Sequence, residues 1–240
     1  MSMKSGVVIT GGSAGIGLRI VEELLAAGFS VINLARRKVP IASDDIVDIE
    51  IDLTDRLALA SACEQLAASD ARVFIHNAGA IRPDLLGGID LADLDALNQL
   101  HLGAAIQIAE ALLPGMKAER FGRIVIISSR ASVGMQARSS YAATKAGQIA
   151  LARTWALELA PCGITVNTVA PGPIEATEMF HEIVPANSAM VEEMAAKIPV
   201  QRLGLPADVA QAVMFFIDRD NGFVTGQNLF VCGGTSIGSI

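Results

Sequence analysis

The chain has very few aromatic residues and very few cysteines. Only 4% of its 240 residues are aromatic, with one tryptophan and one tyrosine, and its three cysteines stand far apart. Cys63, Cys162 and Cys232 form no C-x-x-C pair and have no histidine at ligand spacing, which argues against a disulfide framework and a metal site. We therefore expect reduced thiols, a cytoplasmic location and no bound metal.

Long apolar runs and a positive net charge are missing as well. No apolar run reaches the roughly 18–20 residues that span a bilayer, and the opening MSMKSGVVITGG lacks a signal-peptide layout. The formal net charge of −7 argues against nucleic acid as a partner. Hydrophobic residues still make up 52% of the chain, and we assign this excess to a large core and to subunit interfaces rather than to a membrane.

The chain also lacks linkers, low-complexity tracts and repeats, and we expect one domain spanning 1–240. Short β-branched runs alternate with longer helical patterns, which indicates β–α units on a parallel sheet. The patterns predict strands near 7–10, 30–34, 46–51, 73–76, 123–128, 165–169 and 228–231. They predict helices near 15–27, 56–68, 93–116, 141–160, 189–197 and 207–217. We expect an α/β fold with one doubly wound parallel sheet, helices on both faces, and only a loop or single turn at 36–45.

The first predicted strand runs directly into TGGSAGIG at 10–17, and a helical pattern follows. Gly11 permits a tight turn, Gly15 lets the backbone approach a pyrophosphate, and Gly17 permits close packing of helix on strand. The helix amino terminus adds unpaired N–H groups and a favourable dipole for phosphates. A glycine cluster in this strand–turn–helix context predicts a nucleotide-binding site.

Tyr141, the only tyrosine, is followed four residues later by Lys145. Residues i and i+4 share a helix face, so the ammonium group can approach the phenol. A fixed positive charge favours the phenolate, and we expect it to lower the Tyr141 pKa from about 10 toward neutrality. Ser128 and Ser129 lie 13 and 12 residues before the tyrosine. By itself, a Y-x-x-x-K pair is typical of ordinary amphipathic helices. The glycine turn near the start of the chain is what favours a functional role for Tyr141 and Lys145.

Taken together, the G-x-x-x-G-x-G turn and the pair Tyr141 and Lys145 resemble the short-chain dehydrogenase/reductase family in its classical form. Further matching segments are HNAG at 76–79, GRIVIISS at 122–129, Asn167 with PG at 171–172, RLG at 202–204, TGQ at 225–227 and GG at 233–234. The resemblance covers nearly the whole chain. It implies a Rossmann-type fold and an oxidoreductase that transfers hydride between a nicotinamide cofactor and a carbonyl or alcohol.

The resemblance also implies roles for individual side chains. Tyr141 would donate a proton to the carbonyl oxygen in reduction, Lys145 would lower the Tyr141 pKa and bind the nicotinamide ribose, and Ser129 would orient the carbonyl. Ser128 is the alternative serine, because it keeps the commoner spacing to the tyrosine. The family's catalytic asparagine falls on His101, whose imidazole either continues a water-linked proton relay or only packs in a helix bend.

The end of the second predicted strand indicates which nicotinamide cofactor is preferred. Family members that use NAD usually carry an acidic residue there, whereas this chain has Arg36 and Arg37 followed by Lys38. A guanidinium group can pair with a 2′-phosphate through two bonds, so we expect NADP(H). NAD(H) is the alternative if the basic turn is only solvated, and Ala14 stands where many NADP-dependent relatives have another basic residue.

The remaining cofactor contacts are implied by the same resemblance. The glycine turn would contribute Thr10, Gly11, Ser13, Gly15, Ile16 and Gly17, and the adenine would be contacted by Asp52 and Leu53. The adenosine ribose side would be lined by Asn77, Ala78 and Gly79, and the nicotinamide side by Pro171, Gly172, Ile174 and Thr177. A methionine-rich substrate loop and helix is expected near 173–198.

We expect a homotetramer that acts on a small carbonyl or alcohol, with a 3-oxoacyl reductase as one form. The competing functions are an NAD-dependent secondary alcohol or polyol dehydrogenase and a non-catalytic nucleotide-sensing protein.

Overall fold

The sheet at the centre of the molecule is wholly parallel. The computed structural model describes residues 6–175, 177, 180 and 189–237. The strands are β1 Gly6–Thr10, β2 Ser30–Ala35, β3 Ile46–Glu50, β4 Ala71–His76, β5 Gly122–Ile127, β6 Ile164–Pro171 and β7 Asn228–Val231. Within the described residues, seven strands pair in the order β3-β2-β1-β4-β5-β6-β7. The order reverses between β1 and β4, as in a Rossmann-type doubly wound sheet.

Helices cover both faces of this sheet. They are α1 Gly15–Ala26, α2 Arg56–Ala67, α3 Leu91–Asn98, α4 Ala104–Glu119, α5 Ser139–Leu159, α6 Ala189–Ala196 and α7 Pro206–Ile217. The connection at 36–45 contains no helix. The predicted α/β fold class is therefore confirmed.

Alternation along β1 explains how the two faces are filled. All five residues of the strand are buried, as expected for a parallel strand that is covered on both sides. Val8 packs on one face with Phe74 and with apolar residues of α2, α4 and α5. Val7 and Ile9 point to the other face and pack with apolar residues of α1 and α7. The two layers together hold the strand ends in fixed positions.

The prediction of one uninterrupted helix at 93–116 is wrong. In the structure the helical segment starts at Leu91, and one wide π turn, Gln99–Gly103, separates α3 from α4, which ends at Glu119. Apolar periodicity cannot reveal one extra residue in a turn, because the buried stripe resumes on the same face afterwards. The π turn buries the side chains of Gln99 and His101. It therefore turns His101 toward the carboxyl edge of the sheet.

Candidate active site

The glycine-rich turn joins the end of β1 to the start of α1. Gly11 has a left-handed backbone with φ of 69°, and Nδ2 of Asn77 donates to its carbonyl oxygen at 2.9 Å. A side chain at Gly17 would collide with that carbonyl group and with Asn77. A Cβ on Gly15 would lie 3.2 Å from Cγ2 of Thr177. Thr177 therefore lies beside Gly15 at the glycine turn.

The amino end of α1 is open to an anion. Ala14 precedes the helix without a side-chain cap, and the first turn contains no acidic residue. Ser13 and Ile16 on either side are half-buried. An uncapped helix terminus presents N–H groups and a partial positive charge, which is the environment that a phosphate group requires.

The end of β2 lies beside this turn and carries the basic residues. Oδ1 of Asn33 accepts a hydrogen bond from the Gly12 N–H at 2.8 Å, and its Nδ2 donates to Asp48 at 2.8 Å. Asn33, on β2, therefore connects the glycine turn to β3. Arg36 and Arg37 follow the strand and are exposed. Their guanidinium groups therefore lie on the surface at the end of β2.

Asp52 and Leu53 follow β3 at the same edge. Thr54 donates to Oδ1 of Asp52 from its backbone at 2.9 Å and from its hydroxyl at 2.7 Å. These bonds, with a smaller contribution from the charge of Arg36, hold the pKa of the Asp52 carboxyl below its usual range. Leu53 is buried, and its carbonyl accepts from Nε2 of Gln99 at 3.4 Å. Asp52 is therefore ionised at neutral pH and remains accessible.

The loop after β4 is bound to the end of β1. Oγ1 of Thr10 accepts the backbone N–H groups of Asn77 at 3.1 Å and Ala78 at 3.0 Å. Because Nδ2 of Asn77 is directed at the glycine turn, this side chain stabilises the turn itself. The result is a rigid junction at the point where the strand order reverses, which is where ligands bind in open α/β sheets.

The predicted nicotinamide side lies at the end of β6. Pro171 is the last residue of the strand, Gly172 packs against Cys232, and Ile174 forms a short bridge with Gly204. The predicted substrate segment at 173–198 is described only in part, because residues 176, 178, 179 and 181–188 lie outside the described residues.

Tyr141 and Lys145 lie on the first turns of α5 and face the sheet. Nζ of Lys145 is 5.7 Å from the centroid of the tyrosine ring and donates to the Ile127 carbonyl at the end of β5 at 2.8 Å. Lys145 is 2% exposed. Burial lowers its pKa to about 7, because the charged ammonium loses its hydration. Lys145 can therefore change its charge near neutral pH.

The expected lowering of the Tyr141 pKa is wrong for this structure. Burial raises the pKa above 10, and it outweighs the hydrogen bond to Ser129 and the charge of Arg138, which both act in the opposite direction. The charge of Lys145 is not fixed, because its own pKa falls to about 7. The phenol therefore keeps its proton at neutral pH.

The two serines differ in what their hydroxyl groups reach. Oγ of Ser128 donates to the Lys145 carbonyl at 2.8 Å and is buried against α5. Ser129 is half-buried, forms a hydrogen bond that acts on Tyr141, and accepts the Ala131 N–H at 3.1 Å. The geometry therefore favours Ser129 over Ser128 as the partner of the phenol.

His101 is fully buried beside the same pair. Its ring makes an edge contact with Tyr141 at a centroid distance of 5.7 Å. Nδ1 lies 2.8 Å from Oγ1 of Thr144, and Nε2 accepts the Ala80 N–H at 3.3 Å. Burial lowers the His101 pKa well below its ordinary value, and the charge of Lys145 lowers it further. The imidazole is therefore neutral at physiological pH.

Two further buried residues belong to this cluster, and the sequence patterns did not reveal them. His76 ends β4, and burial lowers its pKa to about 3; Thr144 connects His101 to the Tyr141 backbone. The histidines stand far apart in the chain, so their spacing gives no sign that two of them lie in one cluster. The position of His76 at the carboxyl end of a central strand is the signal that points to it.

The part of the chain that the structure describes contains neither a membrane-spanning helix nor a cluster of metal ligands. No helix there has both the length and the apolar character needed to cross a bilayer. No group of three or more potential metal-ligating side chains occurs among these residues. Cys63, Cys162 and Cys232 are all free thiols.

Comparison with sequence families relates residues 11–236 to the family described as enoyl-(acyl carrier protein) reductase. The chain is 33% identical over 236 residues to the 3-oxoacyl-[acyl-carrier-protein] reductase FabG of Haemophilus influenzae, covering 95% of this chain and 96% of that protein. It is 32% identical over 241 residues to the (2S)-[(R)-hydroxy(phenyl)methyl]succinyl-CoA dehydrogenase subunit BbsD of Thauera aromatica, covering 96% of each.

The fold of the chain also resembles that of solved structures. The structure of ElxO with bound NADP superposes with a TM-score of 0.89 at 28% identity, over 97% of this chain and 98% of that one. The agreement extends over the whole sheet and its helices.

Proposed function

The chain belongs to the short-chain dehydrogenase/reductase family, and on that premise we propose that it is an NADP(H)-dependent enzyme of the 3-oxoacyl reductase type. It would interconvert a ketone and a secondary alcohol, with residues 1–240 forming one cofactor-binding and catalytic domain. The observation that carries the proposal is the contact of Tyr141 with Ser129 and Lys145 beside the open end of α1.

The residues at the glycine turn fit a phosphorylated dinucleotide. The uncapped end of α1 suits a pyrophosphate. Arg36 and Arg37 are exposed where a 2′-phosphate would lie, and the strand that they follow does not end in a carboxylate. Guanidinium groups bind phosphate through paired charge-assisted hydrogen bonds. These features support NADP(H) over NAD(H).

In the proposed reaction the cofactor supplies the hydride when it is bound. Tyr141 holds its proton at neutral pH, which suits it to donate that proton to the oxygen of a ketone. Ser129 adds a hydroxyl group that steadies the same oxygen. Lys145, with a pKa of about 7, can exchange a proton near the phenol, and Nε2 of His101 lies near Lys145 beside Gly79.

The retained phenol proton is the form of Tyr141 that reduction of a ketone requires. A general acid must be protonated before the reaction begins, and burial of Tyr141 raises its pKa. Both curated relatives carry names that describe acyl groups on acyl carrier protein or coenzyme A. These names support a 3-oxoacyl thioester as the substrate class.

The proposal is tested by direct titration and by a substrate panel. NADPH and NADH binding is measured first, followed by NADPH oxidation with acetoacetyl-CoA, simple ketones and crotonyl-CoA as an enoyl control. We expect tighter binding of NADPH and turnover of acetoacetyl-CoA but not of crotonyl-CoA. Failure of every ketone to oxidise NADPH, with the protein folded, would refute the proposed function.

We also propose a homotetramer with twofold axes in the cytoplasm. Leu157 on α5 is exposed, as are Leu229 on β7 and Ile237 beyond it. Apolar groups on these outer surfaces favour association of identical chains. Light scattering at micromolar concentration tests this directly, and a 25.0 kDa monomer would refute it.

A further inference from the structure

Two buried histidines lie close to Lys145, and each is neutral. His76 ends β4, whereas His101 lies on the π turn, and both rings are fully buried. Burial lowers both pKa values, and the charge of Lys145 adds to the effect. A neutral imidazole has one N–H and one lone pair, so the direction of each depends on which nitrogen carries the proton. The hydrogen-bond partners decide this for both rings.

The tautomer of His101 follows from Thr144. Oγ1 of Thr144 lies 2.9 Å from the Tyr141 carbonyl, which can only accept, so the hydroxyl hydrogen is donated there. At its 2.8 Å contact with Nδ1 of His101, Oγ1 must therefore accept, and Nδ1 carries the proton. The Ala80 N–H, directed at Nε2 from 3.3 Å, requires a lone pair on that nitrogen. Two independent contacts give the same tautomer.

His76 has the opposite tautomer. Oγ1 of Thr10 already accepts two backbone N–H groups, from Asn77 and Ala78. Its own hydrogen is then left for Nδ1 of His76 at 3.0 Å, so the proton of this ring is on Nε2. That Nε2 has no hydrogen-bond partner among the described residues, although the carbonyls of the π turn favour its protonation.

Nε2 of His101 and Nζ of Lys145 both lie close to Gly79. A methyl group placed on Gly79 would lie 3.3 Å from Nε2 of His101 and 3.5 Å from Nζ of Lys145. The two nitrogens therefore border the same small space beside Gly79. With the proton on Nε2, this ring N–H would oppose the Ala80 N–H, whereas the Nδ1–H tautomer lets Nε2 accept it.

We propose that Thr144 is a positioning residue, which holds His101 in the Nδ1–H tautomer so that Nε2 accepts the Ala80 N–H and stays unprotonated beside Lys145. The tautomer stands on the contacts of this chain alone. Its effect on turnover rests on the proposed function, in which Lys145 acts beside Tyr141.

The first test reads the tautomers directly and needs neither substrate nor cofactor. The protein is labelled with 15N-histidine, and the ring nitrogens are recorded by NMR, which separates protonated from unprotonated nitrogens. His181→Gln and His101→Asn assign the signals by their loss. We expect Nδ1–H for His101, the minority form of free neutral histidine, and Nε2–H for His76. A His101 ring protonated on Nε2 would overturn the proposal.

The second test separates positioning from packing. Thr144→Val removes the acceptor for Nδ1–H at nearly constant volume, and Thr144→Ser retains it. Thr154→Val is the matched control, because Thr154 makes the same kind of bond to a carbonyl of α5, at 3.1 Å, but on an exposed face. We expect Thr144→Val to shift the His101 signals and lower kcat by about tenfold, which is about 1.4 kcal/mol. Thr144→Ser and Thr154→Val should behave like the wild type, with KM for NADPH little changed.

Unchanged signals and kcat in Thr144→Val would overturn the role of Thr144. If that variant does not fold, Thr144→Ala replaces it with the same expectations. If the wild type has no turnover, the proposed function is refuted, while the NMR spectrum still decides the tautomer.

Discussion

Two regions at the carboxyl edge of the sheet carry basic side chains, which are exposed to solvent in one region and buried in the other. Arg36 and Arg37 are exposed beyond β2. Lys145 is buried between β5 and α5, and burial lowers its pKa to about 7. An exposed arginine keeps its full charge at any physiological pH, whereas a buried lysine becomes titratable.

This difference separates binding from chemistry. In the proposed function the basic turn attracts and holds a phosphate. The buried cluster can exchange protons but offers little exposed charge to a ligand. We therefore expect substitutions in the basic turn to change cofactor affinity and substitutions in the buried cluster to change kcat.

Replacing Tyr141 with Phe should have the largest effect. It removes the proposed proton donor and leaves the glycine turn intact, so kcat should fall by at least roughly 100-fold, a typical contribution of a general acid. NADPH affinity, measured by fluorescence titration, should change little. Wild-type turnover in this variant would show that the buried cluster does not carry the chemistry.

The same residue allows a measurement of its pKa. Tyr141 is the only tyrosine, so no other tyrosine contributes to the phenolate absorbance. We expect its midpoint above the ordinary 10.0, because burial opposes the phenolate. A midpoint near neutrality in the protein alone would mean that the charge of Lys145 outweighs burial.

Neutralising Arg36 and Arg37 together, as Arg36→Gln and Arg37→Gln, should have the next largest effect. Loss of charge-assisted hydrogen bonds to a 2′-phosphate should weaken NADPH binding by about 1.5–3 kcal/mol. NADH binding and kcat at saturating cofactor should hardly change. Lys38→Gln is the control, because it removes a positive charge from the same turn at a residue whose Nζ lies 3.6 Å from Glu50. A wild-type preference for NADH would contradict the assignment.

Substitutions of His101 should give a smaller effect within the buried cluster. His101→Leu leaves the partners of the ring without a donor or acceptor, and we expect kcat to fall by about tenfold. His101→Asn keeps one donor and one acceptor and should retain most of the activity. If Leu and Asn variants have equal rates and stabilities, His101 is only a packing residue.

The pH dependence of stability should show the smallest effect. The folded-state pKa of Lys145 is about 7, whereas the ordinary value is 10.5. Between these values the unfolded chain binds the extra proton, so this group makes the free energy of unfolding rise with pH. The rise should reach up to about 1 kcal/mol per pH unit. Chemical denaturation of the wild type and Lys145→Met at pH 7 and pH 9 measures it, and parallel profiles would contradict the lowered pKa.

The glycine turn was predictable because its chemistry is local. Gly11 and Gly17 are required by backbone conformation and by contacts made across one strand–turn–helix unit, and both requirements can be read from spacing. The same is true of Tyr141 and Lys145, which share a face because they are four residues apart on one helix.

The π turn and its consequences were not predictable in this way. An extra residue in one turn leaves the apolar stripe almost unchanged, so the pattern at 93–116 indicated a plain helix. His76 and Thr10 are 66 residues apart in the chain, and Thr144 and His101 are 43 apart. No spacing rule connects residues at such distances, and only the folded sheet brings them together.

The sequence by itself determined the order of strands and helices, the nucleotide turn and the kinds of side chain that surround the candidate active site. The tertiary structure decided which of those side chains face one another and how each one titrates. Ser129 rather than Ser128 reaches the phenol, and the Tyr141 pKa moves up rather than down. The physical reason is that solvation energy depends on everything packed around a group, whereas periodicity and spacing record only its neighbours along the chain.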